Sequence, residues 1–109
     1  MFSIKDLLGM SDYFAFLSAN KNSYIEVMSK NTSHCWMIVE EKDDSYTLYH
    51  KHKISQEYHF QTTFGSLYDT VLDIVNHDEY QLRNRKPVRF KHQYENSYFN
   101  KMVAQYGVV

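Results

Sequence analysis

Closely spaced histidines are the first residues in this chain whose side chains could do chemistry. His50 and His52 lie two positions apart, and His59 follows in the next apolar segment. Two imidazoles at this spacing share one face of a strand and could begin a zinc site. Strict alternation places His59 on the opposite face, so the three rings converge only if a bulge interrupts the strand pairing. Because no acid or cysteine stands at a usual metal-ligand spacing either, we predict no metal site and no cofactor.

Residue types that catalyse reactions are present but poorly placed for catalysis. Cys35 is the single thiol, and it lies beside Trp36 in the most apolar segment. That setting predicts a packed core thiol rather than a nucleophile. His34 is adjacent to the thiol, but neighbouring strand residues point to opposite faces. The chain also lacks the G-x-S-x-G, H-E-x-x-H, G-x-G-x-x-G and P-loop motifs, so we expect a binding protein and not an enzyme.

A basic segment with interleaved aromatic residues follows an acidic body. Residues 1–82 contain six Lys and Arg against twelve Asp and Glu, whereas residues 83–109 contain six Lys and Arg and a single acid. Cations that contact phosphates and rings that stack on bases are what single-stranded nucleic acid binding requires. Nucleic acid is therefore an alternative partner, unless the basic segment only offsets the charge of the acidic body. The candidate contacts are Arg83, Arg85, Lys86, Arg89, Phe90 and Lys91.

Three segments carry helix signals. Ser3 and Ser66 each stand three residues before an aspartate, which is the pattern of a capping box. The apolar spacing after Ser3 predicts one broken helix or two short helices over residues 3–19. The spacing after Ser66 predicts a helix that ends near residue 77 or 80. Asn96 is predicted to cap a last helix.

The segment between these helices is predicted to form an antiparallel sheet. Apolar residues there alternate with a period of two, and turn signals recur about every ten residues. This pattern predicts a meander of four strands, with a possible fifth strand at Val88 and Phe90. The expected order is α-β-β-β-β-α-(β)-α in a single α+β domain over residues 1–109, with the helices on one face of the sheet.

The other face of the sheet is the predicted functional surface. Ile25, Val27, Leu48 and Phe60 are expected to face the helices, which leaves an aromatic face that another protein could cover. Aromatic side chains are favoured at interfaces because they combine a large apolar area with a polar tip. We therefore predict a small protein-interaction module of the adaptor, inhibitor or immunity type, possible also as a homodimer. The interface candidates are Tyr24, Trp36, Tyr49 and His59.

The sequence also bears on the location of the protein. A single cysteine cannot form an internal disulfide, which fits a reducing compartment. The first residues do not show a basic region followed by an apolar run, which is the pattern of a signal peptide. No apolar stretch approaches the roughly 20 residues that span a bilayer. We expect a cytoplasmic protein without a membrane partner.

Overall fold

The computed structural model of the chain describes residues 2–20, 23–89 and 97–107. In these residues five strands form one antiparallel sheet, and each strand pairs with the next along the chain. The predicted α+β class and the antiparallel meander are therefore confirmed. The elements are α1 (Ile4–Leu8), β1 (Phe14–Asn20), β2 (Tyr24–Ser29), β3 (Cys35–Glu40), β4 (Tyr46–Lys51), β5 (His59–Phe64), α2 (Leu67–Leu82) and α3 (Tyr98–Tyr106).

Helix α1 begins at the predicted capping box. The side-chain Oγ of Ser3 accepts a hydrogen bond from the backbone N–H of Asp6, and the Asp6 carboxylate accepts one from the backbone N–H of Ser3. Two of the backbone donors that a helix start leaves without partners are thereby satisfied. The helix ends at Gly9 after five residues, and Leu7 is its fully buried contact with the core.

The other two helices begin at serine caps. Ser66 Oγ accepts from the backbone N–H of Asp69 at 3.1 Å, as the sequence predicts for α2. Helix α3 is capped by Ser97, whose Oγ accepts from the backbone N–H of Asn100 at 2.9 Å. The predicted cap Asn96 lies outside the described residues. The two helices pack on each other, and α2 also contacts β4 and β5.

Residues 14–20 form strand β1, so the prediction of helix over residues 3–19 was wrong beyond α1. Phe14 and Leu17 have helical spacing, but Phe14 and Phe16 also have the two-residue period of a strand. Pairing with β2 decides between the two, because it places Phe14 opposite Ser29 with its ring in the core. The fifth strand is thus at this edge of the sheet. Val88 belongs to no strand.

A bulge in β5 changes which side chains share a face of the sheet. Leu48 of β4 pairs with Thr62, whereas the next residue, Tyr49, pairs with Phe60. Gln61 is therefore the extra residue of the bulge, and the alternation of β5 is reversed before it. As a result Phe60 lies beside Tyr49 and is 60% exposed, so the expectation that it faces the helices was wrong.

The core lies between the three helices and one face of the sheet, which we call the inner face. Ile25, Val27 and Leu48 lie on this face, as the sequence predicts. Trp36 is on the same face and fully buried. The opposite, outer face carries Tyr49 and Phe60. None of the helices in the described part of the chain is long and apolar enough to cross a bilayer.

Candidate metal centre

Five histidine side chains gather at one end of the inner face, and we call them the histidine cluster. Neighbouring rings in the cluster have centroids between 4.6 and 5.5 Å apart. The five come from the β2–β3 turn, from β4 and the residue after it, from β5 and from α2. They are His34, His50, His52, His59 and His77.

Strand geometry positions the members from β4 and β5. His50 and His52 are two residues apart on either side of Lys51, so their side chains leave the chain on the same face. His59 pairs with His50, and the bulge in β5 is what brings its ring to this face. The premise that His59 points away from His50, which led us to predict no metal site, was therefore wrong.

The turn before β3 positions His34. Ser33 has a left-handed backbone with φ of 65°, and its N–H donates to the carbonyl oxygen of Ser29 at 2.8 Å. The backbone N–H of His34 donates to Thr32 Oγ1 at 3.3 Å. The tight turn brings the His34 ring over the end of β4, where it stacks on His52 with centroids 4.6 Å apart.

His50 is the centre of the cluster. Its side chain is 2% exposed, and its ring stacks on the indole of Trp36 at 4.1 Å with an interplanar angle of 24°. Its Nε2 lies 3.0 Å from Nδ1 of His34. The indole thus fixes the orientation of His50 from one side, while the ring nitrogen points to a second imidazole.

Three of the histidines bring nitrogen atoms together as metal ligands do. One ring nitrogen from each of His34, His50 and His52 lies within 4.8 Å of the other two. Two imidazole nitrogens that bind one zinc ion at tetrahedral angles lie about 3.3 Å apart. The 3.0 Å between His34 and His50 is close to that value. His52 is exposed, so its side chain can move toward an ion with little loss of packing.

The electrostatics keep these imidazoles in the form that binds metals. Burial, followed by the charges of neighbouring histidines, lowers the pKa of His50 to about 3. Burial first, then His34, His52 and the Arg85 guanidinium, lower the pKa of His77 to about 4. The pKa of His34 is lowered in the same way. At neutral pH these rings are therefore uncharged, and each has one nitrogen with a lone pair. One ring nitrogen of the His34–His50 pair donates to the other, so an ion between them would replace this hydrogen bond.

A buried carboxylate joins the turn before β3 to helix α2. Asp78 is fully buried and accepts hydrogen bonds from Tyr13 Oη at 2.7 Å and Thr32 Oγ1 at 2.9 Å. Burial raises its pKa, while hydrogen bonds from Ser29, Tyr13 and Thr32 act against that rise. Ser29 Oγ also accepts from Trp36 Nε1 at 3.1 Å. This network links the turn that carries His34 to helix α2, in which His77 precedes Asp78.

The four predicted interface residues do not share one surface. Trp36 is fully buried on the inner face and cannot contact a partner. His59 is exposed but belongs to the histidine cluster. Tyr24 and Tyr49 are half-buried on the outer face, since they pair with Val39 and Met37 of β3. Only Tyr24 and Tyr49 thus lie where an outer-face partner would reach them.

The predicted nucleic-acid segment is described only in part. Its first four candidates follow the last turn of α2, where Arg83 Nε donates to the carbonyl oxygen of Lys86 at 3.0 Å. Nucleic acid binding by this segment stays a prediction. The four candidates in the described chain are Arg83, Arg85, Lys86 and Arg89; Phe90 and Lys91 lie outside it.

The sequence did hold a signal for the histidine cluster. In an antiparallel meander, the start of β3, the end of β4 and the start of β5 lie at the same end of the sheet. His34, His50 and His59 each stand at one of these positions. Considering which residues lie at strand ends, and not only which face they point to, would have placed these three histidines together. By contrast, Cys35 is buried, and burial raises its pKa, as the interpretation of a packed thiol implies.

Comparisons with known proteins do not assign this site. No protein-family model, no curated protein and no solved structure matches the chain. The functional argument therefore depends on the chemistry of the histidine cluster itself.

Proposed function

We propose that this protein binds one transition-metal ion through His34, His50 and His52. The observation that carries the proposal is the convergence of three imidazoles, with one nitrogen from each within 4.8 Å of the others. A donor set of imidazoles alone suits Zn²⁺, Cu²⁺, Ni²⁺ and Fe²⁺, whereas Mg²⁺ and Ca²⁺ prefer oxygen ligands. Zinc, which accepts a tetrahedral set of nitrogen ligands, is the ion we expect.

Trp36 makes the proposal easy to test. It is the only tryptophan in the chain, and its ring lies 4.1 Å from that of His50. Titration of the metal-free, untagged protein with Zn²⁺ is expected to change the Trp36 emission until one equivalent is bound, with a dissociation constant of about 1 μM or tighter. Mg²⁺ at the same concentrations should leave the emission unchanged.

Elemental analysis of the dialysed protein provides an independent measurement of the same result. About one zinc per chain after removal of free metal is expected. Neither retained zinc nor a saturable change in emission, for a protein shown to be folded by circular dichroism, would reject metal binding as the function.

A second function rests on a different surface, and we propose it separately as self-association through the outer face. Phe60 is 60% exposed there, and its ring packs edge-on against Tyr49 with centroids 6.2 Å apart. The same face carries charges of both signs: Glu26 accepts a hydrogen bond from the Tyr58 hydroxyl, and the Lys51 ammonium lies over the Tyr58 ring. A face that meets a copy of itself across a two-fold axis needs such self-complementary charges. This proposal keeps the protein-interaction role expected from the sequence.

Replacing Phe60 with Ser tests self-association. An exposed aromatic residue at the centre of an interface is typically worth more than 1 kcal/mol, so we expect the dimer dissociation constant to rise by about 10-fold or more in sedimentation velocity. Ile54→Ser is the matched control, because Ile54 is 62% exposed but lies in the loop before β5. A wild-type chain that stays monomeric at every concentration measured would end this proposal.

Both proposals keep the cytoplasmic location expected from the sequence. A reducing compartment suits a chain whose one thiol, Cys35, is buried and unpaired. Zinc ligation by neutral imidazoles does not depend on that thiol.

A further inference from the structure

His77 is the one member of the histidine cluster that comes from a helix. Its ring faces the sheet from α2, with centroids 4.8 Å from His50 and 5.5 Å from His34. Its edge also contacts the ring of Trp36 at 5.0 Å. The imidazole therefore contacts the cluster through His34 and His50.

The Nδ1 atom of His77 lacks a hydrogen-bond partner. It is buried, and no group in the described residues donates to it or accepts from it. Buried polar atoms are nearly always paired, and an unpaired one needs an explanation such as a bound water or ion. A metal ion held by the neighbouring imidazoles would supply that partner, since a neutral imidazole nitrogen is a good metal ligand.

The position of His77 relative to the other ligands is set independently of any ion. Its neighbour Asp78 accepts the hydrogen bond of Thr32, which lies two residues before His34. Because Asp78 anchors the turn and the adjacent His77 faces the cluster, α2 and the turn cannot move apart without breaking this part-buried hydrogen bond. The backbone of His77 is thus held beside the turn, which reduces the ordering that an ion would require. Its ring has to turn toward the ion, because the nitrogens that lie within 4.8 Å of one another are those of His34, His50 and His52.

We propose that His77 is the fourth ligand, so that the ion is held in a closed tetrahedral site and joins helix α2 to the sheet. This inference rests on the metal binding proposed above. Structural zinc sites have four protein ligands, whereas catalytic sites keep one position open for water or substrate. A fourth imidazole therefore makes the ion a structural staple between α2 and the strands β3 and β4. His59 is the remaining member of the cluster. It is exposed and can bond to water, and among the described residues the buried nitrogen without a partner belongs to His77.

Cobalt spectroscopy tests the number of ligands directly. Co²⁺ in a four-coordinate tetrahedral site absorbs visible light far more strongly than in a five- or six-coordinate site. The wild-type chain loaded with one equivalent of Co²⁺ is expected to show the intense tetrahedral bands. In His77→Gln those bands should shift and weaken, because water replaces an imidazole nitrogen and the opened site admits a fifth ligand. Metal affinity should fall by about 100-fold or more while the stoichiometry stays at one. In His77→Ala, free imidazole is expected to restore the bands.

The matched control is His59→Gln, which removes an imidazole from the same cluster and should leave the cobalt bands unchanged. Hydrogen exchange distinguishes a ligand from a residue that only packs, because a packing role for His77 would not make the effect of metal on exchange depend on this residue. Metal is expected to slow exchange in α2 of the wild-type protein and to have no such effect in His77→Gln.

The outcomes separate this inference from the proposed function. If the wild-type protein binds one Co²⁺ but its bands are weak, or if they are unaffected by His77→Gln, the fourth-ligand assignment is wrong and metal binding stands. The assignment is equally wrong if His59→Gln, and not His77→Gln, removes the bands. A folded wild-type chain that binds no Co²⁺ or Zn²⁺ at all overturns both.

Discussion

Replacing His50 with Gln is expected to weaken zinc binding by more than about 100-fold. Loss of groups that only support a ligand typically costs 10-fold to 100-fold in metal affinity, and loss of the ligand itself should cost more. His50 is the member of the cluster that contacts the other four imidazoles and the indole of Trp36. It is therefore the ligand whose loss we expect to weaken zinc binding most.

The measurement is competition with a chelator of known affinity, followed through Trp36 emission. His59→Gln again serves as the matched control, since it replaces an imidazole at an exposed position with the same amide. That control should bind zinc within a few-fold of the wild-type protein. Circular dichroism establishes that the His50→Gln chain is folded. If the folded variant binds zinc as tightly as the wild type, His50 is not a ligand and the proposed site is wrong.

Gln is a suitable replacement because it separates metal binding from stability. The carboxamide is close in size to imidazole and can hydrogen-bond to His34 in place of the lost ring. It is a poor zinc ligand compared with imidazole. A smaller residue such as Ala would leave a cavity beside Trp36 and destabilise the core as well. The Gln variant therefore reports on the ligand rather than on packing.

Replacing Asp78 with Ala is expected to lower the free energy of unfolding by about 3–5 kcal/mol. The carboxylate accepts hydrogen bonds from the buried Tyr13 and from the half-buried Thr32. Its removal leaves these hydroxyl donors with no acceptor, and each buried unsatisfied group costs about 1–3 kcal/mol. Urea-induced unfolding measures the effect. A loss below about 1 kcal/mol would contradict the assignment of Asp78 as a buried anchor.

Two further variants locate the origin of that loss. Asp78→Asn keeps one carbonyl oxygen and the shape of the side chain, so we expect a loss of about half that of Asp78→Ala. Asp73→Ala is the control on the same helix. Asp73 is half-buried, and burial raises its pKa, so its removal should change the unfolding free energy by less than about 1 kcal/mol.

Local sequence signals predicted much of this fold. The serine before α1 and the serine before α2 cap the helices where the sequence places them, because a hydroxyl next to the first turn satisfies backbone donors whatever lies beyond it. The alternating segments from Tyr24 to Phe64 form strands for a similarly local reason. The period of two is imposed by the pleat of each strand. Helix class, strand class and the α+β arrangement could therefore be read from short windows.

The misjudged elements depend on pairing between distant residues. The spacing of Phe14, Phe16 and Leu17 is compatible with a helix and with a strand. The segment forms strand β1 because it pairs with the edge of β2. The bulge at Gln61 leaves no mark in the sequence of β5 either, since it is defined by its register with β4. Because of the bulge, Phe60 lies on the outer face and His59 on the inner face, which is the reverse of the predicted arrangement.

The sequence by itself thus determined the starts of α1 and α2, the meander and the buried setting of Cys35, whereas Trp36, predicted at an interface, is buried. Only the tertiary structure decided the site. It folded the turn that carries His34 over the end of β4, reversed the face of His59 and laid α2 so that His77 faces His50. The physical reason is range: caps and pleats act over three or four residues, whereas the proposed metal site joins side chains up to 43 positions apart along the chain, from His34 to His77. These side chains meet only once the sheet is paired.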